Sequence, residues 1–183
     1  MAALRDTRID LLTLLPPKAA MAELGVFEGE FSAQLLAWDP RELYLFDHWI
    51  GPMQCGDKDG NHIKTLSAAE MTRVYRRLCR RYELDPRVHV VRGDIAEELA
   101  KVPNGHFDFI YVDADHSYAA TRAHLELAHQ KLTPNGFLGG HDYGAPYGGV
   151  VRATDEFAAL HQYTWVARTT RDGCPSFLLQ KPA

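Results

Sequence analysis

Short, nearly continuous apolar runs recur along the chain at residues 19–24, 43–46, 88–91, 109–112 and 137–138, each bounded by polar or turn-forming residues. Runs of that length and composition read as strands. Helical patterns lie between them. Ser67-Ala-Ala-Glu70 is a capping-box signature opening a helix through Arg81, with Met71, Val74, Tyr75 and Leu78 on one side. Further helices are expected at residues 31–36, 95–99, 118–131 and 150–161, the third of these stopping near Pro134-Asn135-Gly136. Apolar strands separated by helices indicate a parallel α/β sheet covered on both faces. Residues 163–169 and 176–180 read as two closing strands joined through the turn composition Arg171-Asp172-Gly173, so the sheet is expected to finish with an antiparallel hairpin.

Two regions fall outside this alternation. Residues 4–15 predict a short amphipathic helix stopped by Pro16-Pro17, so residues 1–17 form a helical N-terminal extension. Residues 48–64 carry Gly51, Pro52, Gly56, Asp57, Asp59, Gly60 and Asn61, too polar and turn-rich for a regular element. That stretch, up to residue 66, is a candidate lid. A second glycine-rich stretch, Tyr143 to Gly149, also has the composition of an adaptable loop.

Composition narrows the function classes. The 183 residues suit a single domain, and 46% hydrophobic residues supply a buried core. A net charge of −4, with lysines and arginines scattered among acids, offers no basic stripe for a nucleic-acid backbone. Cys55, Cys79 and Cys174 form no CxxC pair and cannot all pair within the chain, which fits a reducing compartment. The N-terminus mixes Arg5, Asp6, Arg8 and Asp10 among its leucines and lacks the apolar core of a signal peptide or spanning helix. The expected setting is the cytoplasm, with neither membrane nor nucleic acid as partner.

The chemistry sits at the strand ends. The run from Phe107 to Val112 passes into Asp113-Ala-Asp115-His116, and Gly136 to Gly140 passes into His141-Asp142. In an open α/β sheet the carboxyl ends of the strands line the ligand crevice, so the two clusters can share one site. Oxygen-rich clusters suit a hard divalent cation. The first strand enters Glu23-Leu-Gly25-Val-Phe-Glu-Gly29, a turn in which Gly25 allows close approach to a ligand and Gly29 allows the next helix to sit near the strand. A dinucleotide fingerprint would need glycine where Phe27 stands. Asp47 closes the second strand at the distance where a carboxylate can hold a ribose diol, and Asp94 closes the third, suited to an adenine amine or to capping the helix that follows.

With Glu23-x-Gly25-x-x-x-Gly29, Leu45-Phe-Asp47, Gly93-Asp94, Val112-Asp113 and a terminal hairpin, the chain from about residue 18 onward resembles the class I S-adenosylmethionine-dependent methyltransferases. Asp113-Ala-Asp-His-Ser-Tyr118, Pro134-Asn-Gly136, Gly140-His-Asp-Tyr143 and the segment from Gly149 to Phe157 are similar to small O-methyltransferases related to the macrocin and mycinamicin sugar enzymes. The resemblance implies a Rossmann-like sheet with Glu23, Gly25 and Gly29 around the methionine part of S-adenosylmethionine, Asp47 at the ribose and Asp94 at the adenine. It implies a divalent cation, magnesium or manganese or another, held by Asp113, His141 and Asp142. It also implies transfer to a small hydroxylated acceptor such as a sugar or polyphenol-like diol. Because an imidazole titrates near neutrality, His116 is the first choice of general base, and His141 the second if it binds no metal. Asp115 is expected to cap the helix after it, and Tyr118, Tyr143 and Tyr147 are candidates to line the acceptor pocket. A homodimer is compatible with a chain this small. The competing readings are a metal-independent methyltransferase, a cofactor-binding module without transfer activity, and a metal hydrolase on the same scaffold.

Overall fold

The computed structural model describes residues 2–51, 53–56, 63–171 and 173–183. Its centre is an eight-stranded sheet built from β1 (Ala3–Arg5), β2 (Ala20–Leu24), β3 (Glu42–Asp47), β6 (Val88–Arg92), β7 (Phe107–Val112), β8 (Leu132–Gly140), β9 (Thr164–Thr169) and β10 (Phe177–Gln180). The order across the sheet is β1-β9-β10-β8-β7-β2-β3-β6. All neighbouring pairs are parallel except those made by β10, which runs antiparallel to both β8 and β9. The parallel order reverses between β2 and β7, the topological switch point where open α/β sheets bind ligands.

Helices α2 (Glu30–Ala37), α3 (Ala68–Tyr82), α4 (Ile95–Ala100), α5 (Tyr118–Lys131) and α6 (Gly148–Leu160) connect the strands. Successive side chains of a strand face opposite sides, so two cores form. One joins Met21, Leu43, Leu45, Phe109 and Tyr111 to Phe31, Leu35, Met71 and Leu78, and the other joins Ala22, Leu24, Phe46, Ile110 and Leu138 to Leu99, Leu125 and Phe157. At about 25 cal/mol per Å² of buried apolar surface, this two-sided burial dominates the stability of the sheet. The expected elements are recovered with boundaries within a few residues, α5 at the same limits.

Four expectations change. Residues 1–17 are not simply helical: Ala3–Arg5 is an edge strand paired with β9, and only Arg8–Leu12 (α1) is helical. The alternating Leu4 and Arg5 lie against Arg168 and Thr169, where backbone pairing outweighs the weak helical periodicity. Within residues 48–66 there is a two-stranded ribbon, β4 (Met53–Gly56) antiparallel to β5 (Ile63–Leu66), where no regular element is expected; Pro52 and residues 57–62 lie outside the described residues. Pro134-Asn135-Gly136 is not a separating loop but part of β8, accommodated by a register shift between Phe107 and Phe109 of β7 and a left-handed Asn135 at φ 61°. The basic residues are also less scattered than composition suggests, since Arg73, Arg76, Arg77, Arg80 and Arg81 are all exposed on α3.

Candidate functional site

The strand ends are in register. Leu24 lies opposite Phe46 on one side and Val112 on the other, and Val112 lies opposite Gly140. The residues that follow, Asp47, Gly25, Asp113 and His141, therefore form a row along one edge, with neighbouring strands about 4.8 Å apart. Backbone bonds stitch the row: Gly25 donates to the Phe46 carbonyl at 2.9 Å, Asp113 to Leu24 at 2.7 Å and His141 to Val112 at 3.1 Å.

The turn after β2 is fixed by sterics and by one carboxylate. Gly25 has φ 88°, and a Cβ there would stand 2.0 Å from the Asp113 carbonyl oxygen. Gly29 caps α2 at φ 75°, and a Cβ there would meet Leu78 at 2.5 Å. Asp47 is buried; its Oδ2 accepts from Val26 at 2.9 Å and Phe27 at 2.8 Å, and its Oδ1 from Trp49 at 2.9 Å. Trp49 closes the arrangement by donating from Nε1 to the Phe27 carbonyl at 2.9 Å. Phe27 and Trp49 both hold positive φ, a costly conformation that this net of bonds sustains. Asp94 caps α4, accepting from Glu97 at 3.0 Å.

Glu23 is buried and bonded to the Ser32 hydroxyl. Burial pushes its carboxyl up to about 8 against the opposing pull of Ser32, with the Asp113 charge adding to the rise. It therefore holds a proton at neutral pH.

The β7 and β8 ends bring the second cluster together. His116 Nε2 lies 2.7 Å from Asp142 Oδ2, and His141 Nδ1 lies 3.2 Å from Asp142 Oδ1 and 3.7 Å from Asp113 Oδ1. One donor atom each from Asp113, His141 and Asp142 falls within a 4.8 Å span, so these three converge as a metal-ligand set could. Asp142 sits at φ 59°, which an aspartate tolerates and which turns its side chain back toward both imidazoles. Burial alone would raise the Asp142 carboxyl, but the bonds from His116 and His141 outweigh it and hold it well below the usual carboxylate range. Asp113 is raised, by burial first and by the Asp142 charge, against the pull of His141 and Arg8. His116 is raised above the usual imidazole range, chiefly by its bond to Asp142.

Comparison with known proteins decides the family. A model described as a methyltransferase domain matches residues 22–143, two thirds of the chain and all of the strand ends just described. The chain belongs to this methyltransferase family. Its fold agrees: the N-methyltransferase NodS from Bradyrhizobium japonicum WM9 superposes with TM-score 0.63 at 19% identity, covering 96% of this chain and 95% of that one. A structure of NodS with S-adenosyl-L-homocysteine aligns equally well, TM-score 0.63 at 18% identity over 96% of this chain and 86% of that one. A candidate O-methyltransferase from Klebsiella pneumoniae gives TM-score 0.63 at 17% identity over 94% of this chain and 77% of that one. No curated protein matches the sequence significantly. These solved structures share its Rossmann-like fold.

Within the methyltransferase, several residues differ from expectation. Asp115 does not cap α5: Ser117 does, accepting from Ala120 at 3.3 Å, while Asp115 accepts from Ser117 at 2.7 Å and shapes the turn before the helix. Of the three tyrosines, only Tyr147 touches the cluster, its ring centroid 4.6 Å from that of His116. Tyr118 and Tyr143 instead donate to Glu156 and Asp155, tying α5 and the 143–149 loop to α6 beside an open groove of about 510 Å³. Sequence reasoning missed Arg8, whose Nη1 donates to Asp113 Oδ2 at 3.3 Å. Its only signal was its place as one of two arginines in an amphipathic segment. No described helix is long and apolar enough to cross a membrane.

Proposed function

We propose that this methyltransferase transfers the methyl group to a hydroxyl of a small acceptor, a sugar or a polyphenol-like diol, as its resemblance to the macrocin and mycinamicin enzymes implies. The observation that carries this reading is the His116–Asp142 pair at the ends of β7 and β8, beside the Gly25 turn. An alcohol is a weak nucleophile until its proton leaves. Asp142 engages His116 Nε2, which leaves Nδ1 as the basic nitrogen. S-Adenosylmethionine, when bound, would supply the methyl group and leave with the carbon–sulfur electron pair as the acceptor oxygen bonds to the methyl carbon, and the hydroxyl proton would go to His116. Asp142 steadies the imidazolium that results.

On the cofactor side, Glu23, Gly25 and Gly29 would surround the methionine part, with Asp47 toward the ribose and Asp94 toward the adenine. Because Asp47 already accepts three backbone bonds, its part in holding ribose would use the acceptor capacity left on Oδ1 and would come second to shaping the turn. A divalent cation would be held by Asp113, His141 and Asp142, and the convergence of their donor atoms fits one. The mixed oxygen and nitrogen set suits manganese, iron or zinc at least as well as magnesium. Such a cation, when bound, lowers the pKa of a contacting hydroxyl and helps orient it.

A second reading omits the cation, because Arg8, His116 and His141 already compensate Asp113 and Asp142. Transfer of radiolabelled methyl from S-adenosylmethionine to a panel of sugars and catechols, with and without EDTA, tests both. Loss of activity in EDTA that manganese or magnesium restores supports the cation; activity untouched by EDTA supports the second reading. Calorimetry showing no binding of S-adenosylmethionine or S-adenosylhomocysteine would sink the proposal altogether.

A further inference from the structure

Arg8 reaches the crevice from outside the matched domain, carried by α1, which follows the edge strand β1. Its guanidinium lies 4.6 Å from the centroid of Phe31, a residue in the first turn of α2, and 3.3 Å from Asp113 beyond β7. It also lies against the Tyr111 hydroxyl and within the field of Glu23. These neighbours fix its place: above the Gly25 turn, since Gly25 abuts the Asp113 backbone, and between the two strands at the switch point.

The surroundings are acidic, yet little of the donor capacity of Arg8 is used. A guanidinium offers five N–H donors in a planar fork, and its bonds to Asp113 through Nη1 and to the Tyr111 hydroxyl engage only part of it. Stacking on Phe31 holds the plane still, so the fork is preorganised. Glu23, the nearest acid on the turn itself, is engaged by the Ser32 hydroxyl. A planar cation with a free edge beside a ligand-binding turn matches a carboxylate, and the methyl donor carries one at its methionine end.

We propose that Arg8 recognises the carboxylate of the methionine moiety of S-adenosylmethionine, and so makes the N-terminal β1–α1 segment part of the cofactor site. This rests on the methyltransferase reading given above. A charge-assisted bidentate bond discriminates strongly against a ligand lacking the carboxylate, because the guanidinium then loses its best partner. The β1–β9 pairing and the bond from Thr170 to the Arg5 carbonyl would anchor the segment that delivers it.

Calorimetric titrations of the whole chain with S-adenosylhomocysteine and with 5′-methylthioadenosine, which lacks the amino-acid portion, test this. Arg8→Gln should weaken S-adenosylhomocysteine at least tenfold and leave methylthioadenosine within twofold, with Arg8→Lys between the two. An unchanged S-adenosylhomocysteine affinity, or equal losses for both ligands, would overturn the assignment, the latter because it marks a purely structural role. Should Arg8→Gln fail to fold, the unaltered protein still decides: decarboxylated S-adenosylmethionine should bind at least tenfold more weakly than S-adenosylmethionine, and equal binding would overturn the assignment. Binding of none of these ligands by the unaltered protein would overturn the methyltransferase reading and this assignment with it, whereas tight binding indifferent to Arg8 overturns the assignment alone.

Discussion

On the side of the crevice proposed for the cofactor Asp47 gives its carboxylate to three backbone N–H groups, whereas on the side proposed for the acceptor Asp113 and Asp142 face the side chains of Arg8, His116 and His141. The difference is one of exchangeability. Backbone donors cannot leave without the turn unfolding, so the first arrangement is part of the fold. Side-chain cations can rotate away, lose a proton or yield to a ligand, so the second can change state during a reaction. Both clusters consist of acids at strand ends, yet one is bound into the backbone and the other, under the proposed function, carries the chemistry.

The comparison breaks most visibly at Gly25. Gly25→Ala would drive a methyl group into the Asp113 carbonyl at φ 88°, and should cost more than about 3 kcal/mol or abolish folding. Gly105→Ala, also at positive φ but with nothing within 4 Å of the added atom, should cost only the backbone term of about 1–2 kcal/mol. Urea denaturation of both variants measures the gap.

Asp47→Ala comes next, because it strands the N–H groups of Val26, Phe27 and Trp49. A loss of about 2–4 kcal/mol is expected, along with weaker S-adenosylhomocysteine binding. A variant as stable as the parent would show that the carboxylate is not scaffold.

On the acceptor side the largest effect should fall on turnover rather than stability. His116→Gln should lower kcat by about 10²–10⁴, the usual contribution of a general base, with little change in melting temperature. Because the Asp142 bond raises the His116 pKa, the proposed base should become active only as pH rises through that raised value. Removing the bond should move the rising limb of the pH–rate profile to lower pH, and a limb that stays in place would exclude His116 as the titrating group.

A smaller and purely thermodynamic effect belongs to Glu23. Its carboxyl is raised from 4.5 to about 8, so the folded protein holds a proton that the unfolded chain releases above pH 4.5. The associated stability is complete below pH 4.5 and is lost as pH rises toward 8. Glu23→Gln should flatten this slope, seen as a variant that gains on the parent between pH 5 and pH 8 in urea denaturation.

The contrast also explains what could be read from the chain alone. Strands such as residues 43–46 and 109–112 are apolar on both faces, and helix α3 announces itself with Ser67 and Glu70, so local pattern and tertiary burial agree. The row of Asp47, Gly25, Asp113 and His141 was legible because parallel strands in register must end together. The states of those residues were not. That Asp47 turns inward depends on Phe27 and Trp49 taking positive φ, which their side chains disfavour and only the assembled turn imposes. The β1 strand was hidden because three residues leave no period to read, and the role of Arg8 depends on that strand finding β9, more than 150 residues away. The choice of Ser117 over Asp115 as the α5 cap turns on two residues of register between two good capping types.

The separation of scaffold from chemistry is tested most directly by titrating Asp142→Asn with S-adenosylhomocysteine in a calorimeter while measuring methyl transfer on the same preparation. Asparagine keeps the shape and tolerates the left-handed backbone at this position but removes the charge. S-Adenosylhomocysteine affinity within about threefold of the parent, with methyl transfer reduced at least a hundredfold, is the predicted result. Cofactor affinity lost in step with activity would contradict it, by showing that the two sides of the crevice are one unit.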